Sequence, residues 1–106
     1  MLHIALHFVL PLIPAILIGK RQWWRVWLIL CATMLVDLDH LLADPIYDPM
    51  RCSINFHPLH RFLPIAGYAL SLLWRPTRLV GLGLLIHMAL DSADCFQNQG
   101  VWYTAR

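Results

Sequence analysis

The sequence predicts an all-α polytopic membrane protein: a bundle of four transmembrane helices, the third of them short, with the N-terminus outside. Three observations predict it. Hydrophobic residues make up 59% of the 106-residue chain and charged residues only 13%, against a charged share of about 25% in ordinary soluble domains. The apolar residues fall in four runs that reach or approach the length needed to cross hydrocarbon. The basic residues gather in two of the turns between those runs. The length suits a single domain, residues 1–106.

The first run, residues 2–18, carries Pro11 and Pro14, which should bend it. It is not expected to be a signal peptide, because Lys20 and Arg21 follow the apolar stretch rather than precede it. The second run, residues 23–43, is long enough to span. The third, residues 62–74, is short and becomes a span only if it starts near Pro58, where proline suits a first helical turn. The fourth, residues 77–96, is long enough, and Gly81 and Gly83 would allow a neighbouring helix to come close. The polar tail carries Trp102 and Tyr103, which suit an interface.

Lys20, Arg21 and Arg25 follow the first run, and Arg75 and Arg78 follow the third, so the positive-inside rule places both turns in the cytoplasm. That orientation delivers the polar residues of all four runs to one depth. His3 and His7, then Asp37, Asp39 and His40, then His57 and His60, then His87, Asp91 and Asp94 all fall toward the outer side. Ionisable groups inside apolar helices are costly and mark functional interiors. Imidazole with carboxylate is a donor set for zinc and related divalent ions.

The candidate metal ligands are His7, Asp37, Asp39, His40, His57, His60, His87 and Asp91. Asp37 and His40, three apart, share a helix face, and His87 and Asp91, four apart, share another. Asp39 points elsewhere, toward a second ion or a contact behind a ligand. For the His87–Asp91 pair the competing reading is a hydrogen-bonded pair without metal. For His57 and His60 it is a helix cap and a solvated side chain. Cys52 and Cys95 fall on the same outer side, where a disulfide is the first expectation and two free thiols or soft metal ligands are the alternatives, whereas Cys31 is expected to pack as a small apolar residue.

Other chemistries are excluded by inventory. The chain has no glutamate, no H-E-x-x-H, no phosphate-binding Walker loop and no G-x-S-x-G elbow. A net charge of +2 without basic–aromatic interleaving argues against nucleic acid as a partner.

The run from Leu35 to His40, the His57–His60 junction and the His87–Asp91 pair, after an N-terminal apolar helix with histidine, resemble the bacterial inner-membrane-bound metal-dependent hydrolases. More closely, the strings from Met34 to Ala43, Pro45 to Pro49, Arg51 to Ser53 and Phe56 to His60 resemble a group of short bacterial membrane proteins. The resemblance covers most of the chain. It implies Asp37, Asp39, His40, His57, His60, His87 and Asp91 as the polar set, and the bacterial inner membrane as the location. One departure is that the hydrolase family spaces its middle histidines further apart, around a glycine.

The expectation is therefore a membrane-embedded metal-dependent hydrolase open to the periplasmic face. It would hold one or two divalent ions, zinc first and manganese second, and act on a lipid-linked phosphoester. Asp39 would serve as general base, and Arg51 or Arg61 would orient an anionic group. Membrane lipid is the expected partner, with a homo-oligomer as a further possibility. The alternatives are a divalent-metal carrier or channel and a bis-histidine haem protein in electron transfer.

Overall fold

The computed structural model describes residues 2–42 and 52–103. Among them are α1 (Leu2–Val9), α2 (Leu12–Gly19), α3 (Trp23–Ala32), α4 (Phe62–Leu70) and α5 (Arg75–Gln99), with 3-10 turns at Lys20–Gln22, Thr33–Leu42, Pro58–His60 and Ser71–Leu73.

Each apolar run meets a local reason to stop. Pro11 has no N–H to give the His7 carbonyl, so the ladder lapses at Leu10 and Pro11, and the first run becomes two eight-residue helices. In the second run the Thr33 hydroxyl donates to the Leu30 carbonyl. Such back-bonding competes with the α ladder, and from Thr33 to Leu42 the chain winds as a 3-10 helix. The third run holds α4 and the turn Ser71–Leu73. Only α5 runs uninterrupted. Pro76 sits in its first turn, where its missing N–H costs nothing, and Gly100 ends it with φ 73°.

These interruptions overturn the expected bundle of four transmembrane helices. Among the described residues only α5, with 25 residues, is long and apolar enough to cross a membrane. The other helices are too short, and they pack about α5 in a compact unit with a radius of gyration of 13.9 Å, close to the roughly 13 Å of a compact domain this size.

α5 is the central element because its glycines admit neighbours on two sides. A Cβ added at Gly81 would lie 2.8 Å from the Tyr68 carbonyl oxygen of α4, and one at Gly83 would lie 3.1 Å from the Leu30 carbonyl oxygen of α3. Ala15, Val26 and Leu30 form one buried cluster, covered by Trp27, Leu79 and Leu82. Leu30 and Thr33 then meet Gly83, and Met34 meets His87. The second run thus climbs beside α5 in the same direction, so Trp23 stands level with the first turn of α5. The Trp27 indole N–H donates to the Phe8 carbonyl at 2.7 Å and fastens α1 to α3.

A second cluster, Val36, Cys52, Ile54, Met88 and Cys95, lies further along α5. It contains the Cys52–Cys95 disulfide, with Cα atoms 5.0 Å apart, the pairing expected from the sequence. Cys31 is half-buried with a free thiol.

Candidate metal centre

The 3-10 winding from Thr33 to Leu42 decides what the second run presents. Three residues per turn stack positions i and i+3. Thr33, Val36 and Asp39 therefore form one buried stripe, and Met34 and Asp37 form the next. Both rungs of that second stripe reach His87: Met34 Sδ lies 3.2 Å from Nδ1, and Asp37 Oδ1 lies 2.9 Å from Nε2. From α5, His87 and Asp91 project together, with Nε2 to Oδ2 at 3.0 Å. His60, fully buried, enters at the end of the turn Pro58–His60. That turn is held by the Asn55 amide, which donates to the His60 carbonyl, and by the Tyr68 hydroxyl, which donates to the Leu59 carbonyl.

Four atoms from three separate segments meet here. His60 Nε2 lies 3.2 Å from His87 Nε2, 3.3 Å from Asp37 Oδ1 and 3.0 Å from Asp91 Oδ2. All four donor atoms lie within 4.8 Å of one another. An ion bound tetrahedrally at about 2.0–2.1 Å to each donor sets edges of about 3.3–3.4 Å. The five separations that involve a histidine nitrogen are 2.9–3.3 Å, at or slightly below that figure.

The groups behind the ring nitrogens favour the same reading. His60 Nδ1–H donates to Asp39 Oδ2 at 2.8 Å, and the same oxygen accepts the Leu59 amide at 2.9 Å. His87 Nδ1 faces the Met34 thioether, a weak acceptor. With a proton only on each Nδ1, both Nε2 lone pairs would point inward beside the two carboxylate oxygens, and that set of four acceptors suits a cation. A carboxylate behind a ligating histidine is the usual support of a metal site.

Burial disfavours a charged His60, yet the hydrogen bonds and charges of Asp37, Asp39 and Asp91 outweigh it and raise its pKa well above the usual histidine value. Positive charge at this point can therefore be carried by the imidazolium, which donates to the carboxylates, and a metal ion would have to displace its proton.

The remaining sequence candidates are distributed around this group. His7 is buried, with Nε2 3.2 Å from Asp91 Oδ1, so it meets the carboxylate oxygen other than the one facing His60 and His87. His57 is buried with its ring centroid 5.7 Å from that of His60. Asp39, considered as a general base, is buried with Oδ2 engaged by His60 and Leu59, which suits it to orienting His60. Arg61 is exposed at the start of α4. Asp94 accepts from the Asn98 amide at 3.3 Å, outside the four-atom group. Arg51, Asp44, Asp48 and the side chains of His3 and His40 lie outside the described residues, so the expected Asp37–His40 pair falls partly there. Met34 was not anticipated from the sequence. Its signal is its place three residues before Asp37, a spacing that puts the two on one helix face.

Fold and site together define a small all-helical protein with a buried His/Asp cluster able to hold a metal ion. The chain belongs to the family of unknown function DUF6122, whose model matches residues 1–97. No curated protein and no solved structure matches it.

Proposed function

We propose that the chain is a membrane-embedded metal-dependent hydrolase acting on a lipid-linked phosphoester. The observation that carries the metal reading is the meeting of His60 Nε2, His87 Nε2, Asp37 Oδ1 and Asp91 Oδ2 within 4.8 Å of one another. These four residues would hold the ion, with zinc ahead of manganese for a donor set of two imidazoles and two carboxylates. A bound divalent ion supplies Lewis acidity, activating water and polarising a phosphoryl or acyl oxygen.

The chain's own residues supply the rest. Asp39 holds His60 in the tautomer that presents Nε2. Asp37 is the open corner: its side chain is 36% exposed, while those of His60, His87 and Asp91 are 6% or less. Water and substrate would approach there. Arg61, exposed and next to His60, is available to an anionic group.

Membrane residence is supported by the exterior. Leu63, Leu73 and Leu17 are 85%, 79% and 73% exposed, and Ile13, Ile16, Leu28 and Leu35 are exposed as well. An apolar surface of this extent needs a non-aqueous neighbour. The location proposed is the bacterial inner membrane, on the sequence resemblance.

A second reading, a divalent-metal carrier without chemistry, is favoured by the four protein donors, since closed sets are the habit of structural ions and catalytic ions keep a position open. A bis-histidine haem fits poorly. Nε2 atoms 3.2 Å apart are closer than the roughly 4 Å that two axial bonds of about 2 Å require across a porphyrin, and the two carboxylates lie against the same nitrogens.

The test is to purify the full chain in detergent, measure bound metal, and assay a phosphatidyl substrate in mixed micelles. The hydrolase reading expects stoichiometric ion and turnover that disappears in Asp37→Asn. Stoichiometric ion without turnover on phosphoester or acyl ester substrates leaves the carrier. A folded chain that takes up no divalent ion ends both.

A further inference from the structure

Five of the chain's eight Lys and Arg residues stand in two turns, Lys20, Arg21 and Arg25 about the α2–α3 connection, and Arg75 and Arg78 at the start of α5. The fold brings these turns to one end of the molecule. α2 folds back along α3 so closely that a Cβ at Gly19 would lie 2.9 Å from Val26 Cγ2. α3 ascends beside α5 through Val26, Leu30, Leu79 and Leu82. α4 descends to Ser71, whose carbonyl accepts from the Thr77 hydroxyl at 2.8 Å, so the α4–α5 turn closes at the same end.

All five cations are exposed there. Trp23, Trp24 and Trp74 are exposed among them, and the Arg25 guanidinium lies 5.2 Å from the Trp24 ring centroid. No described carboxylate shares this end. Asp37 and Asp39 lie more than a full α-helix turn beyond the top of α3, and Asp91 and Asp94 lie in the last third of α5.

We infer that this end is a docking surface for anionic lipid headgroups. The inference rests on the membrane-embedded reading and deepens it. Exposed cations interleaved with tryptophan, continuous with an apolar flank, match the headgroup layer, where indole seats its amphipathic ring and anionic lipid attracts each cation. The far end supports the match. Past Gly100 the tail folds back on α5: the Ser92 hydroxyl donates to the Trp102 carbonyl at 2.7 Å, Trp102 stacks on Phe96, and Tyr103 meets Phe62, both aromatics staying exposed. Ser92 and Phe96 lie about 26 and 32 Å along α5 from Arg75 at about 1.5 Å per residue. Aromatic groups at that separation match a hydrocarbon core of about 30 Å.

The docking fixes the depth of the metal centre. His87 and Asp91 lie about 18 and 24 Å along α5 from Arg75. Lipids gripped by the basic end therefore do not reach the ion. The centre belongs to the opposite leaflet, and its substrate is drawn from there.

The experiment compares full-length wild type with a quadruple variant, Lys20→Gln, Arg21→Gln, Arg75→Gln and Arg78→Gln. Both are held in mixed micelles of phosphatidylcholine and phosphatidylglycerol, and retained lipid is read by native mass spectrometry. Wild type is expected to retain phosphatidylglycerol over phosphatidylcholine by roughly tenfold or more, and the variant to lose that preference while binding zinc as before. Equal retention of the two lipids by wild type, or an unchanged preference in the variant, would overturn the inference. Carbonate extraction of the reconstituted chain separates the two ideas. A chain that leaves the membrane ends the embedded reading, whereas one that stays but shows no lipid preference ends only the docking surface.

Discussion

His60 and Asp39 form a buried pair in which the ring Nδ1–H donates to the carboxylate at 2.8 Å, and this bond turns Nε2 toward His87, Asp37 and Asp91. Asp39 thus acts on the centre through His60. Asp39→Asn keeps all four donors but removes the negative charge behind the ring. The expected outcome is zinc affinity weaker by about ten- to hundredfold, read by chelator competition, with one ion still bound at saturation. Unchanged affinity would show that Asp39 is only a local structural contact of the 3-10 helix.

The four donors link segments far apart in the chain, so ion and fold should be coupled. Asp37→Asn, His60→Ala, His87→Ala and Asp91→Asn should each lower bound metal and thermal stability together. An ion present at a hundredfold excess over Kd stabilises the folded form by about 2.7 kcal/mol. Asp94→Asn, outside the four-atom group, should change neither property. If His87→Ala lost stability but kept full metal, His87 would be a packed core histidine and not a ligand.

The disulfide should matter to the centre as well as to stability. Cys95 lies one helical turn beyond Asp91, and Cys52 opens the segment that carries His57 and His60. Closing a loop with a sequence separation of 43 stabilises by about 4 kcal/mol in the chain-entropy model. Cys52→Ser with Cys95→Ser should lose a comparable stability in denaturant unfolding. It should also bind zinc more weakly, because His60 is then held less firmly against α5. Full zinc affinity in that variant would show that the turn Pro58–His60 keeps its place without the bond.

The glycines of α5 offer a steric test. At Gly83 an added methyl meets Thr33 and the Leu30 carbonyl, and relief requires pushing α3 away one turn below His87. Overpacking of this kind costs about 1–3 kcal/mol, so Gly83→Ala should lower the melting temperature and weaken zinc binding. Gly67, with nothing within 4 Å of its added Cβ, is the control. Gly67→Ala should be neutral or stabilising by about 0.5–1 kcal/mol, the usual gain of alanine over glycine within a helix.

The sequence by itself determined the helical class, the apolar exterior and the polar inventory, because composition and i, i+3 and i, i+4 spacing are local properties. His87 and Asp91 share a face of α5 as their spacing requires, and Cys52 pairs with Cys95. Helix length was less legible. A run such as residues 23–43 is apolar enough to span, but the Thr33 hydroxyl bond and the packing of Gly83 against α3 change its winding, and hydropathy carries no record of either. Met34 and Asp37, three apart, share a face in either winding; what spacing could not show is that both reach His87 while Asp39 joins the buried stripe that meets His60. Only the tertiary structure decided which carboxylate faces the centre and which stands behind a histidine. That choice depends on the rotation of one segment against α5 and on the depth at which the turn Pro58–His60 is held, and both are set by packing between residues distant in the chain.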